Sequence, residues 1–200
     1  MLAAGGDFPV TMDDSLRASI ASMDSLHLEL ARLHFTDARA DDGAAHALVL
    51  ELRLPAGWER LSQAWQGVQS ELDLPAPAIA VSGGEGIQLW FPLAAPVARS
   101  AGAAFLEGLR VRWLHDVDAA RVRLVADPAA LPPVPPVEVG DERWSAFVSP
   151  DLASVFAETP WLDIPPTDEG QAALLRAIAP IAPEAFEAAK ALLPYAKRAG

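Results

Sequence analysis

The clearest alternation in the chain lies at His46–Leu54. Leu48, Leu50, Leu52 and Leu54 fall on one face, with Val49, Glu51 and Arg53 on the other. A period of two with one apolar face predicts a strand. Two short apolar runs follow, Ile79–Val81 and Ile87–Phe91, on either side of Ser82-Gly83-Gly84-Glu85-Gly86. Ile87, Leu89 and Phe91 alternate with Gln88 and Trp90, which predicts a β-hairpin whose core face carries those three residues. Arg121–Val125 alternates in the same way and predicts a short further strand.

Helical spacing appears between these strands. Trp58, Leu61, Trp65, Val68 and Leu72 share the face of a predicted helix over Trp58–Leu72. Pro96 suits the first position of another over Val97–Trp113. Near the N-terminus, Thr11–Asp14 offers capping oxygens before Leu16, Ile20 and Met23, predicting a helix at 13–23. Leu26–Phe35 fits both periods; it is read as a strand. Beyond Asp127, five prolines (Pro128, Pro132, Pro133, Pro135, Pro136) predict a stiff, extended spacer. The tail then reads as short helices. Ser149 and Pro150 start the first, which buries Leu152, Val155 and Phe156. An Asp168–Gln171 capping box opens the second, and Pro183 opens the last, with Phe186, Ala189, Leu192 and Leu193 inward.

The expected fold class is α+β: a mixed or antiparallel sheet covered by helices in residues 1–127, a proline-rich linker at 128–140, and a helical tail at 141–200 packed on the sheet domain.

Composition narrows the function. The chain has 200 residues, 52% of them hydrophobic, which suits one domain with a real core. With no cysteine it has neither disulfides nor thiolate chemistry. No apolar run approaches the roughly 20 residues that span a bilayer, and no signal peptide is read, so a cytoplasmic location without membrane association is expected. Lys and Arg number 15 against 27 Asp and Glu, a net charge of −12. Such a field repels a polyanion, so weak or no binding of free nucleic acid is expected.

Chemistry concentrates at the glycine turn. Three glycines allow positive φ and leave backbone amides uncovered, so Ser82–Gly86 could form a nest of N–H groups for a phosphate. The alternative is a hairpin loop that uses glycine for geometry alone. Ala80 rules out a Gly-x-Ser-x-Gly nucleophile elbow, and no Gly-Lys-Ser/Thr occurs. No pair of the four histidines has a zinc-site spacing, so no metal site is read.

Ser82-Gly83-Gly84-Glu85-Gly86-Ile87-Gln88-Leu89-Trp90, with the following Phe91–Val97, resembles the second motif of the archaeo-eukaryotic primase superfamily. The resemblance covers about the central third of the chain. It implies that Ser82, Gly83, Gly84, Gly86 and Gln88 stand where that family holds the triphosphate of a nucleotide, with Gln88 in place of the family's His. It also implies two metal-binding acids one residue apart on the preceding strand. Glu51 matches the first, whereas Arg53 occupies the second, where a guanidinium repels Mg²⁺. A simple Glu51–Arg53 ion pair is the plain alternative. Asp116, Asp118 and Asp127 are open candidates for a third acid.

The resemblance therefore implies a catalytically degenerate primase-polymerase-like protein of DNA replication or repair. It would bind a nucleotide, a nucleic-acid end or a partner protein. Two other readings remain: an active nucleotidyltransferase with a displaced acid set, which alone would need Mg²⁺ or Mn²⁺, and a structural partner in a replication, repair or mobile-element complex.

Overall fold

The computed structural model describes residues 25–36, 44–55 and 57–194; the helix expected at 13–23 lies outside them. Strands β1 (Ala44–Arg53) and β3 (Gly86–Ala98) pair antiparallel along their lengths, from Ala44 opposite Ala98 to Arg53 opposite Gly86. β2 (Ala78–Val81) lies outside β3, and β4 (Val122–Val125) lies outside β1. A small ribbon of β5 (Glu138–Gly140) and β6 (Arg143–Trp144) stands apart. β7 (Ala146–Val148) completes a five-stranded antiparallel sheet in the order β4-β1-β3-β2-β7. With helices α1 (25–32), α2 (Trp58–Ser70), α3 (Arg99–Trp113), α4 (Asp168–Arg176) and α5 (Pro183–Leu192), the fold is α+β as expected.

Both faces of the sheet are buried. On one, Leu48, Leu50, Leu52, Ile87, Leu89 and Phe91 meet Leu61 and Val68 of α2, Phe105 and Leu109 of α3, and Phe186 of α5. On the other, Ala47, Val49, Ala80, Trp90 and Phe147 meet Leu26, Leu33 and Phe35 around α1 and Ala172 and Leu175 of α4. The alternation of β1 therefore separates two cores, not core from solvent. Trp90 is fully buried, with Phe35 and Phe147 at 5.2 and 6.3 Å between ring centroids.

Several expectations need correction. The segment read as a strand from Leu26 is helical over 25–32, because Leu26, Leu30 and Leu33 form one stripe against the sheet. α1 ends in a Schellman turn, with Phe35 N–H donating to Leu30 O at 2.9 Å and His34 N–H to Ala31 O at 3.0 Å. Arg32 ties this end to α4, donating to the carbonyls of Leu175 at 2.8 Å and Ile178 at 3.0 Å. Pro96 and Val97 belong to β3, since pairing with β1 continues to Ala98 and postpones α3 to Arg99.

The proline segment is packed instead of spanning free space: Pro128 and Leu131 are buried, and Val134 packs against the second core. Proline suits this role because its ring is apolar and it brings no amide to desolvate. Only a short 3₁₀ turn, Ala153–Phe156, forms after Ser149, and it leaves Leu152 and Val155 exposed. Leu192 is exposed too.

Thr167 caps α4, its hydroxyl accepting from Gly170 N–H, so the expected capping box is absent. Gln171 instead turns inward onto the edge strand. Its Oε1 accepts from Phe147 N–H at 2.7 Å and its Nε2 donates to Phe147 O at 3.1 Å. Among the described residues no helix is long and apolar enough to cross a membrane.

Truncation after Leu131 removes β7, α4 and α5, stripping cover from both faces. Each buried side chain lost contributes about 1.5–3 kcal/mol. The truncated chain should lose its cooperative thermal transition; a transition at the parent temperature would refute the dependence. A smaller effect concerns pH. The hydrogen bond from Arg110 holds the Glu107 carboxyl below its usual range, against the opposing effect of burial. A lowered folded pKa contributes stability that is complete above the unfolded value and is lost as pH falls below about 4.5. Urea titrations of the parent and of Glu107→Gln should differ by no more than about 0.5 kcal/mol at neutral pH and converge in acid.

Candidate functional site

The β2–β3 connection is a tight turn, and the amides of Ser82, Gly83, Gly84 and Gly86 are already engaged. Ser82 N–H donates to Gly86 O at 2.9 Å, and Gly83 N–H donates to Pro160 O at 3.0 Å. The Ser82 hydroxyl oxygen accepts from Gly84 N–H at 3.2 Å and from Gly86 N–H at 2.9 Å. Two of the amides expected to stay uncovered, those of Gly84 and Gly86, thus converge on a serine oxygen, where a nest would hold an anion. A phosphate must displace that oxygen before it can be held there.

Two glycines are required for separate reasons. Gly83 has φ +80°, and a Cβ there would meet the Ser145 amide nitrogen at 2.9 Å. Gly86 faces the backbone carbonyl of Leu52 across the β1–β3 pair, with no room for a side chain. Glu85 O in turn accepts from Leu54 N–H at 2.7 Å, extending the ladder past the end of β1.

One sheet register away lies a buried polar chain. Glu51 on β1 sits directly opposite Gln88 on β3 and Arg123 on β4. Gln88 Nε2 donates to Glu51 Oε2 at 3.3 Å, while Gln88 Oε1 accepts from Trp90 Nε1–H at 2.9 Å. Arg123 lies 3.5 Å from Glu51 Oε2 and also donates to Ala130 O at 3.0 Å. Glu51 and Gln88 are only 4% and 3% exposed. The arrangement satisfies every member: the amide relays an indole proton donor to a carboxylate, and a guanidinium offsets the carboxylate's charge.

Arg53 does not pair with Glu51. It lies 3.5 Å from Glu85 across the exposed end of the hairpin, a contact worth little in solvent. Asp116 pairs with Arg60, Asp118 accepts from Ala120 N–H at 3.0 Å, and Asp127 pairs with Arg99 at 3.0 Å. Among the described residues no three His, Asp or Glu side chains are grouped so as to hold a metal ion.

Arg123 and Trp90 as partners of this chain were missed in sequence. The alternation of Arg121–Val125 was visible, but the register that sets Arg123 opposite Glu51 was not. A cavity of about 290 Å³ lies between β2, β7 and α4, lined by Trp65, Ile79, Phe147, Leu174 and Ile178. Comparison with known protein families, characterised proteins and solved structures gives no match.

Replacing Ser82 by Ala leaves the Gly84 and Gly86 amides without their acceptor. This should cost about 1 kcal/mol in urea unfolding. An unchanged midpoint would mean that the turn does not depend on the hydroxyl.

Proposed function

We propose that this chain is a catalytically degenerate, primase-polymerase-like cytoplasmic protein that acts by binding, and that its ligand is a partner protein. The observation that carries the reading is the state of Glu51. Its carboxylate is buried, accepts from Gln88 and faces Arg123, so metal coordination requires both contacts to break. Arg53 adds positive charge beside it on the strand, and each candidate third acid has a partner of its own. Paired-metal nucleotidyl transfer needs carboxylates free to bridge the two ions.

Of the three ligand classes, the nucleotide and the nucleic-acid end both require donors aimed at phosphate. The amides of Gly83, Gly84 and Gly86 are directed at Pro160 and Ser82, and the net charge of −12 opposes a polyanion. The apolar cavity beside α4 supports a protein ligand. Its occupant would be an apolar segment flanked by basic residues, drawn by the acidic field of the whole chain.

Template-directed incorporation of labelled nucleotide with Mg²⁺ or Mn²⁺ should be absent. Arg53→Asp combined with Gln88→His should not create it. Nucleoside triphosphate with Mn²⁺ should leave the amide resonances of Ser82–Gln88 unmoved. Robust primer extension by the unmodified chain, abolished by Glu51→Ala, would instead establish the displaced-acid enzyme. Saturable shifts confined to Ser82–Gln88 would establish a nucleotide ligand.

A further inference from the structure

The cavity between β2, β7 and α4 is lined on α4 by Ala173 and Ala177, both exposed at its mouth, and on the β7 side by Ser149 and Pro150. The chain turns immediately beyond Pro150. Leu152 N–H donates to Ser149 O at 3.1 Å, and Val155 N–H donates to Leu152 O at 3.0 Å. Ala153 between them is buried in the first core. The turn is therefore pinned, yet Leu152 and Val155 are 55% and 66% exposed. Large apolar side chains held in water at the rim of an apolar cavity extend it into a shelf, the kind of surface that marks an interaction site. Charge along this rim has one sign. Residues 149–169 contain five acids, Asp151, Glu158, Asp163, Asp168 and Glu169, and no Lys, Arg or His. Asp151 is exposed between Pro150 and Leu152, and Glu169 is exposed one helical turn before Ala173 on the same stripe of α4. Arg176 of α4 and Arg32 of α1 both lie against Glu29, which offsets part of their charge.

We propose that the cavity and the shelf of Leu152 and Val155 together dock a basic amphipathic segment of a partner protein. One apolar side chain of the segment fills the cavity, and a second covers Leu152 and Val155. Lys or Arg beside them meets Asp151 and Glu169. Burial of the apolar side chains supplies the affinity, and the acids supply the choice of partner and the speed of encounter. An acidic segment of the same shape is repelled by those acids. The inference rests on the partner-binding reading above, and adds to it the shelf and the two acids that read the partner's charge.

Amide shifts of the full chain, recorded with three synthetic peptides, test the surface. The first peptide carries leucine and lysine in amphipathic helical spacing. The second has glutamate for every lysine, and the third has serine for every leucine. The leucine–lysine peptide should give saturable shifts centred on residues 149–155 and 173–178, with an affinity that falls as salt rises. The other two should leave those resonances unmoved. Leu152→Ser with Val155→Ser should weaken binding by about tenfold or more. Asp151→Asn with Glu169→Gln should weaken it by about 2- to 10-fold and flatten the salt dependence. All four positions are exposed, so neither variant disturbs the core. Glu184→Gln with Glu187→Gln, exposed on α5 on the other face of the sheet from α4, should bind like the parent. Unchanged affinity in either of the first two variants, or an equal loss in the α5 variant, overturns the inference. Equal shifts at 173–178 with the glutamate peptide also overturn it, while a protein ligand in the cavity still stands. No shift at 173–178 with any peptide overturns both the docking surface and the cavity reading on which it rests.

Discussion

The structure depends on the pairing of β1 with β3. These are the longest strands, they lie side by side inside the sheet, and both present apolar side chains to both faces. A strand pair buried on two sides cannot be stable with helices on one side only, because the second apolar face would meet water. The first face takes α2, α3 and α5, and the second takes α1, the proline segment and α4. The C-terminal third is therefore part of the core, and β7 extends the same sheet.

The same constraint shapes the polar chemistry. Glu51 and Gln88 sit mid-strand on the second face, so closing that face takes them out of water. A buried carboxylate needs partners, and the register supplies them from the adjoining strands: Gln88 from β3 and Arg123 from β4. Trp90 completes the chain because an indole N–H in a core also needs an acceptor. Glu51 and Gln88 are thus reconciled with burial by satisfying each other and their neighbours. The hairpin turn follows the same economy, since the Gly84 and Gly86 amides close on the Ser82 hydroxyl and the Gly83 amide on Pro160.

Much of this was legible in sequence where one period dominates. β1, the β2–β3 hairpin, α2 and β4 were each readable from spacing, and so was the burial of Ile87, Leu89 and Phe91. Leu26–Phe35 was not, because ten residues with leucine at both two- and four-residue intervals satisfy either period, and only the sheet beneath decides. Pro96 was misleading because a helix start and a strand end both accept proline, and pairing with Ala44 and Ala45 settled the matter. The site was least legible. Which residue faces Glu51 depends on strand register, and which group the glycine turn's amides meet depends on a serine rotamer and on Pro160, far along the chain.

Gln171 carries a consequence for how the molecule ends. By exchanging two hydrogen bonds with Phe147, its side-chain amide stands in for the peptide group of a sixth strand. The sheet is terminated there by imitation, without a charge, a bulge or a proline to repel a newcomer. The terminator is carried by α4, the helix that also shields the second core. Any fluctuation lifting α4 exposes an apolar surface and an unpaired strand edge in the same event. Solubility at this end of the molecule therefore rests on one helix staying seated, and α4 acts as a guard against self-association as well as a piece of core.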